Sequence, residues 1–220
     1  MKVFCVIPAW NEEKNINKVV KEVQEKVDEV VVIDDGSEDK TLREARAGGA
    51  TVLRHLVNRG QGAALQTGNQ YALSRGAEII IHFDADGQFL AREISDLIKP
   101  IREKRAEIVF GSRFLEKKSR IPFAKKIFLL PLAHLVNKLL LGVNLTDPQS
   151  GFRALSQEAV KKVEIEQDGM AHCSEIIYKT FKYNLKFQEV PITVIYHGFG
   201  QKFSGGIRII KDLLLAKIMN

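Results

Sequence analysis

Cysteine is scarce in this chain: Cys5 and Cys173 are the two it has among 220 residues. Two thiols so far apart make neither a disulfide framework nor a four-ligand zinc site, and they suit a reducing compartment. Cys5 sits in an apolar run and is expected to be a buried thiol. Long apolar runs are scarce too. The N-terminal run, Val3-Phe4-Cys5-Val6-Ile7, is too short for a signal peptide and meets Pro8. The most apolar stretch, residues 127–141, contains Pro131, His134, Asn137 and Lys138. It falls short of the roughly 20 residues that a spanning helix needs. No transmembrane helix is therefore expected. Without a secretory leader the glycosylation sequon Asn144-Leu145-Thr146 is discounted, and the cytoplasm is the expected location. Internal repeats, low-complexity segments and linkers are also missing, so a single domain over 1–220 is expected.

What is present is an ordinary globular balance, 45% hydrophobic and 27% charged. The formal charge of +6 and a pI of about 9.2 favour anionic partners, although solubility alone accounts for a charge of this size. The basic residues are scattered and form no aromatic-basic module, so nucleic acid is not an expected partner.

Strand and helix signals alternate through the first half. Strands are predicted at Val3–Ile7, Glu29–Ile33, Thr51–Leu56, Glu78–Phe83 and Glu107–Phe110. Helices are predicted at Glu12–Val27, Lys40–Ala47, Gln61–Ser74 and Ala91–Glu103. Continuous apolar strands between amphipathic helices imply an α/β fold with a mostly parallel central sheet covered on both faces. The second half is predicted to hold helices at Ile121–Leu141, Gln157–Val163, Ser174–Tyr183 and Gly206–Asn220, with strand-like Phe187–Val190 and Thr193–Tyr196.

Parallel sheets bind ligands at the carboxyl ends of their strands, and four polar motifs fall there. Phe83-Asp84-Ala85-Asp86-Gly87-Gln88 brings two carboxylates one residue apart, sharing one face if the backbone stays extended. Two hard oxygen ligands suit Mg²⁺ or Mn²⁺ completed by phosphate oxygens and water. Ile33-Asp34-Asp35-Gly36-Ser37 again ends a buried strand in paired carboxylates, which accept N–H or hydroxyl donors of a nucleoside. A helix cap needs only one such group, and Ser37 or Asp39 suffices for that. Ile7-Pro8-Ala9-Trp10-Asn11-Glu12-Glu13 ends a strand at Pro8 and offers Asn11 as a cap. Asn58-Arg59-Gly60-Gln61-Gly62 places glycine-rich backbone before a helix, where it can cradle phosphate. That loop imitates a dinucleotide fingerprint, but Leu65 stands at the third glycine and the loop follows the third strand, not the first.

Taken in order, these motifs resemble the N-terminal half of family-2 glycosyltransferases of the GT-A fold. Gly111-Ser112-Arg113-Phe114 and Asp147-Pro148-Gln149-Ser150-Gly151-Phe152-Arg153 extend the match, which covers about residues 1–200. The branch it looks most like is the polyprenol-phosphate sugar transferases of the dolichol-phosphate mannose synthase type. The resemblance implies a nucleotide-binding half (1–115) and an acceptor-side half (116–220). It implies that Pro8, Ala9, Asn11, Glu12, Asn58 and Gly60 line the nucleotide-sugar pocket, with Asp34 on the base and Asp35 beside it. Asp84 would bridge ribose or metal, Asp86 would ligate Mg²⁺ or Mn²⁺, and Gln88 would assist. Arg113 would face a phosphate, Asp147, Ser150 and Arg153 would lie on the acceptor side, and Glu175 falls where the family often has an acid. An arginine that the branch often places after Gly111–Phe114 has Arg120, Lys125 and Lys126 as candidates.

The reaction so implied is an inverting transfer of mannose or glucose from a GDP- or UDP-sugar. A lipid phosphate acceptor is already anionic and needs no base. A saccharide hydroxyl would need one, with Asp147 or Glu175 as candidates. The apolar helix near 128–141 and the basic tail can rest on the cytoplasmic face of a membrane or against a membrane-protein partner, or simply pack in the core. A non-catalytic subunit of a membrane complex is the alternative. Intact Asp84, Asp86 and Gln88 speak against it. His82 is expected as a satisfied core residue, and His172 beside Cys173 lacks the further ligands zinc requires.

Overall fold

Val, Ile and Phe alternate faces along β1 (Val3–Ala9), and this alternation splits the interior into two cores. In the computed structural model, which describes residues 1–115 and 145–195, Val3, Cys5 and Ile7 join one core while Phe4 and Val6 join the other. The chain continues through α1 (Ile16–Gln24), β2 (Glu29–Asp34), α2 (Thr41–Ala47), β3 (Thr51–Arg54), α3 (Gln61–Ser74) and β4 (Ile79–His82). A 3₁₀ turn (Ala91–Glu93) leads into α4 (Ile94–Arg102), then β5 (Ile108–Ser112), β6 (Arg153–Ser156), α5 (Gln157–Lys162), α6 (His172–Lys182) and β7 (Phe187–Pro191).

Among the described residues the strands form one seven-stranded sheet in the order β3-β2-β1-β4-β6-β5-β7. β1 pairs in parallel with both β2 and β4, and β6 runs antiparallel between β4 and β5. Helices α1 and α4 cover one face through Ile16, Val19, Val20 and Val23 and through Ile94, Leu97, Ile98 and Ile101. The helices α3, α5 and α6 cover the other, through Ala64, Leu65, Ala159, Val160, Ile176 and Ile177. Each Val, Leu or Ile among these, fully buried, contributes about 1.5–3 kcal/mol. Because strand order reverses direction at β1, the crevice between the carboxyl ends of β1 and β4 is the topological switch point where α/β sheets take ligands.

Several expectations need correction. The first helix begins at Ile16, not Glu12, and Asn11 does not cap it; Asn15 precedes it without a side-chain cap bond. Pro8 does not end β1, which continues to Ala9 in register with Asp34. The fourth strand stops at His82, so Asp84 and Asp86 are not in extended backbone. Strand β6 was not foreseen. Thr193–Ile195 make only an isolated bridge, Phe89 with Val194, instead of a strand. The helices expected at 121–141 and 206–220, with Arg120, Lys125, Lys126 and Tyr196, lie outside the described residues.

Candidate active site

The loops after β1 and β2 are stitched together. Asn11 N donates to Ser37 Oγ at 3.0 Å while Asn11 Oδ1 accepts from Glu38 N at 3.0 Å. Glu12 N donates to Thr41 Oγ1 at 2.7 Å, Glu13 N to Asp39 Oδ2 at 3.1 Å, and Lys40 N to Glu13 Oε2 at 3.1 Å. This mutual capping accounts for the polarity of both motifs and explains why residues 12–15 are not helical. Asn11 takes the left-handed conformation, φ 56°, which asparagine tolerates. Glu12 Oε2 accepts from Asn15 Nδ2, so Asn11 and Glu12 shape the rim behind Pro8 and Ala9.

Asp34 closes this side of the crevice and is 0% exposed. Its Oδ1 accepts from Ser37 N at 3.1 Å. Oδ2 lies 3.2 Å from Arg54 Nε, yet no donor is aligned on it for a hydrogen bond. A buried carboxylate oxygen lacking an aligned donor is an unmet demand for an N–H. Asp35 has a different task. Its carboxylate accepts from Arg59 N at 3.0 Å and Gly60 N at 2.7 Å, and His55 Nδ1 donates to it at 2.6 Å.

The glycine loop and the start of α3 turn several of their amides inward. Gly62 N and Ala63 N, the donors at the start of α3, both point at Asp168 O, at 2.7 and 3.2 Å. Gly60, at φ 105°, and Gly62 pack so closely on the backbone of Gln167–Gly169 that no Cβ fits. Arg59 N and Gly60 N are thus held by Asp35, and Gly62 N and Ala63 N by Asp168 O.

Beyond β4 the chain turns at Asp84–Gly87. Asp86 Oδ1 accepts from Gln88 N at 3.0 Å, and Gln88 O accepts from Ile195 N at 2.9 Å, which fixes the far side of the turn. Asp84 Oδ1 accepts from Gln61 Nε2 at 2.9 Å. Burial, and then the neighbouring charge of Asp86, push the Asp84 carboxyl up to about 6, against the opposing pull of Arg153, His172 and the Gln61 hydrogen bond. A carboxyl raised by a second carboxylate beside it suits a divalent cation between the two. Among the described residues they have no third acid, histidine or thiol, so the remaining ligands would come from diphosphate and water.

Beneath this turn lie a buried arginine and two buried histidines. Arg153, on β6 opposite His82, is 0% exposed, and none of its three side-chain nitrogens has a hydrogen-bond partner. His82 Nε2 donates to Asn69 Oδ1 at 2.9 Å, while His82 Nδ1 has no partner, so this histidine is half satisfied. His172 Nδ1 reaches Gly169 O at 2.8 Å and its Nε2 lies 3.5 Å from Cys173 Sγ. Arg153 thus sits close to Asp84, its charge pulling against the rise of that carboxyl.

Of the residues expected on the acceptor side, Asp147 is buried and gripped by Arg113: Nε to Oδ2 at 2.6 Å and Nη2 to Oδ1 at 2.7 Å. Arg113 thus grips a carboxylate of its own chain. Glu189, which sequence reasoning missed, anchors the loop by accepting from Thr146 N, Thr146 Oγ1 and Asp147 N. Ser150 is buried nearby with its Oγ unpartnered. Glu175, at the start of α6, accepts from Glu166 N at 3.1 Å and Gln167 N at 2.9 Å and pairs with Lys179 at 2.9 Å. Its carboxylate holds the loop that packs on α3.

Comparison with known proteins agrees with this arrangement. The family model described as glycosyl transferase family 2 matches residues 4–164. A UDP-N-acetylglucosamine–dolichyl-phosphate N-acetylglucosaminyltransferase of Methanococcus voltae is 34% identical over 242 residues, covering 98% of this chain and 96% of that one. An undecaprenyl-phosphate mannosyltransferase of Micrococcus luteus is 30% identical over 220 residues, covering 94% and 89%. Among solved structures, glucosyl-3-phosphoglycerate synthase from Mycobacterium tuberculosis, in complex with Mn²⁺, UDP and glucosyl-3-phosphoglycerate, superposes with a TM-score of 0.74 at 23% identity, over 98% of this chain and 79% of that one. That likeness carries the fold, which is GT-A. With its family model spanning the strands and loops that build the crevice, the chain belongs to glycosyl transferase family 2.

Proposed function

We propose that this chain transfers a hexose from a nucleotide-diphosphate sugar to a polyprenyl phosphate at a membrane surface. The observation that carries this choice of acceptor is the state of the two candidate bases. Asp147 is buried in an ion pair with Arg113, and Glu175 is occupied by two backbone amides and Lys179. An acceptor that arrives as an anion needs no base, and a phosphate monoester is such an acceptor. The names of the Methanococcus and Micrococcus relatives, both lipid-phosphate transferases, point the same way.

The donor end rests on three features. Asp34 Oδ2, with no donor aligned on it, can accept an imino N–H of a nucleobase. Asp84 and Asp86 are suited to hold Mg²⁺ or Mn²⁺, which when bound supplies charge neutralisation for a leaving diphosphate. Arg153 is a fixed, buried positive charge beside Asp84, where an anion would offset the cost of its desolvation. In the displacement, an acceptor phosphate oxygen forms a bond to the anomeric carbon as the bond to the β-phosphate oxygen breaks, inverting the centre. No helix among the described residues is long and apolar enough to cross a membrane.

Thermal-shift measurements against GDP, UDP, CDP and ADP, each with and without Mn²⁺, test the donor end, because a ligand of the native state raises the melting temperature. A metal-dependent rise with one diphosphate is expected. The matching radiolabelled sugar should then pass into the organic phase when polyprenyl phosphate is supplied. Label in a water-soluble saccharide, and none in lipid, would overturn the acceptor assignment.

A further inference from the structure

The expected nucleotide and metal ligands leave Gln61, His55 and Thr67 without a role; Gln61 reaches into the site, and the other two brace the loop before it through Asp35. Gln61, the first residue of α3, donates Nε2 to Asp84 Oδ1 at 2.9 Å. Where Gln61 sits depends on the loop before it, and Asp35 holds that loop through Arg59 N and Gly60 N. Asp35 is held by His55 Nδ1 at 2.6 Å, and His55 Nε2 lies 2.9 Å from Thr67 Oγ1, farther along α3. Thr67 in turn donates to Ala63 O at 3.0 Å. The bridge therefore ties the end of β2, the end of β3 and the first turns of α3 into one unit, and Gln61 projects from it.

On the other side of Asp84 the backbone of Gly151 comes so close that a Cβ there would lie 2.5 Å from Oδ2. Asp84 is thus set between an amide donor and a backbone wall. The donor is neutral, which matters: a lysine or arginine at position 61 would fix the carboxylate equally well but would repel a cation. A side-chain amide orients one oxygen and leaves the remaining lone pairs for a metal.

We propose that Gln61 is the positioning residue of Asp84 for the divalent cation, and that the Asp35–His55–Thr67 bridge serves to present Gln61. This rests on the assignment of Asp84 and Asp86 as cation ligands. It predicts a loss of metal affinity without a loss of fold, because Gln61 is half-buried at the start of a helix.

The test is the Mn²⁺ dissociation constant of the full chain, read from the electron paramagnetic resonance signal of free Mn²⁺, alone and with UDP. Gln61→Leu should bind Mn²⁺ about tenfold more weakly, the lower end of what outer-shell partners contribute, with an unchanged circular dichroism spectrum. His55→Gln should weaken binding too, and the double variant should be no weaker than Gln61→Leu, since His55 acts through Gln61. Unmodified protein that binds no Mn²⁺ in either condition would sink the ligand assignment and this inference together. Unmodified protein that binds Mn²⁺, lost in Asp86→Asn but kept at full affinity in Gln61→Leu, would overturn this inference alone. An additive double variant would remove His55 from the chain. Should His55→Gln fail to fold, Gln61→Leu decides.

Discussion

A carboxylate acts as a general base only if its lone pairs are open to the incoming proton, and at Asp147 and Glu175 they are spoken for. Asp147 meets Arg113 through both oxygens, and Glu175 takes two amides and an ammonium. Removal of a true base costs roughly 10²–10⁴ in rate. Glu175→Gln and Asp147→Asn are therefore expected to keep kcat within about tenfold with a lipid phosphate acceptor, and to leave its pH profile unchanged. A hundredfold fall with loss of the acidic limb of that profile would restore one of them as the base. At this scale the sequence shows a residue's type and its distance along the strand, which suffices to set Asp34 at the end of β2 and Asp84 and Asp86 just beyond β4. It does not show pairing. Glu189 and Thr146 meet across 43 residues, and Gln61 meets Asp84 across 23, so neither partner could be recognised in advance.

The elements were legible to the degree that local chemistry alone sets them. The third helix runs over Gln61–Ser74, the predicted span, because a glycine loop defines its start. The first helix starts four residues late because Glu12 and Glu13 spend their amides on Thr41 and Asp39, a tertiary contact with no periodic signature. Strand β6 escaped notice because it is four residues long and carries an arginine that is fully buried. The same competition between local and tertiary terms makes a prediction at the start of α3. Gly62→Ala gains about 1 kcal/mol of helix propensity. Its new methyl group, however, would press into the carbonyl of Gln167, which is backbone and cannot swing aside. Overpacking of this kind costs about 1–3 kcal/mol or more, so the clash outweighs the propensity. Gly60→Ala adds the strain of φ 105° to a contact with Asp168 O. Both variants should unfold at lower urea than the unmodified chain, with Gly60→Ala the less stable.

The molecule as a whole has two unequal faces. The core under α1 and α4 is almost wholly aliphatic and aromatic, whereas the face under α3 and α6 also encloses His82, Arg153, His172 and Cys173. This asymmetry sets the pH dependence of stability. Burial pushes the Cys173 thiol up, but the charge of Arg153, with the hydrogen bond and charge of His172, outweighs it and brings the thiol down to about 7, against an ordinary value of 9.0. A group held below its unfolded value binds fewer protons when folded, so its contribution is fully present above pH 9 and is lost as pH falls through 7. Cys5, pushed well above 9.0 by burial alone, stays protonated when folded but begins to ionise in the unfolded chain near pH 9, so it opposes the rise only slightly at the top of that window. Stability from urea titrations should therefore rise between pH 7 and 9 by on the order of 2 kcal/mol. Cys173→Ala removes the titrating group, and its lower baseline should be flat over the same range. A Cys173→Ala variant that keeps the full rise would move the dependence to another group and leave Arg153 without a thiolate neighbour. A flat variant would make Cys173 the counter-charge that lets a buried guanidinium persist below Asp84.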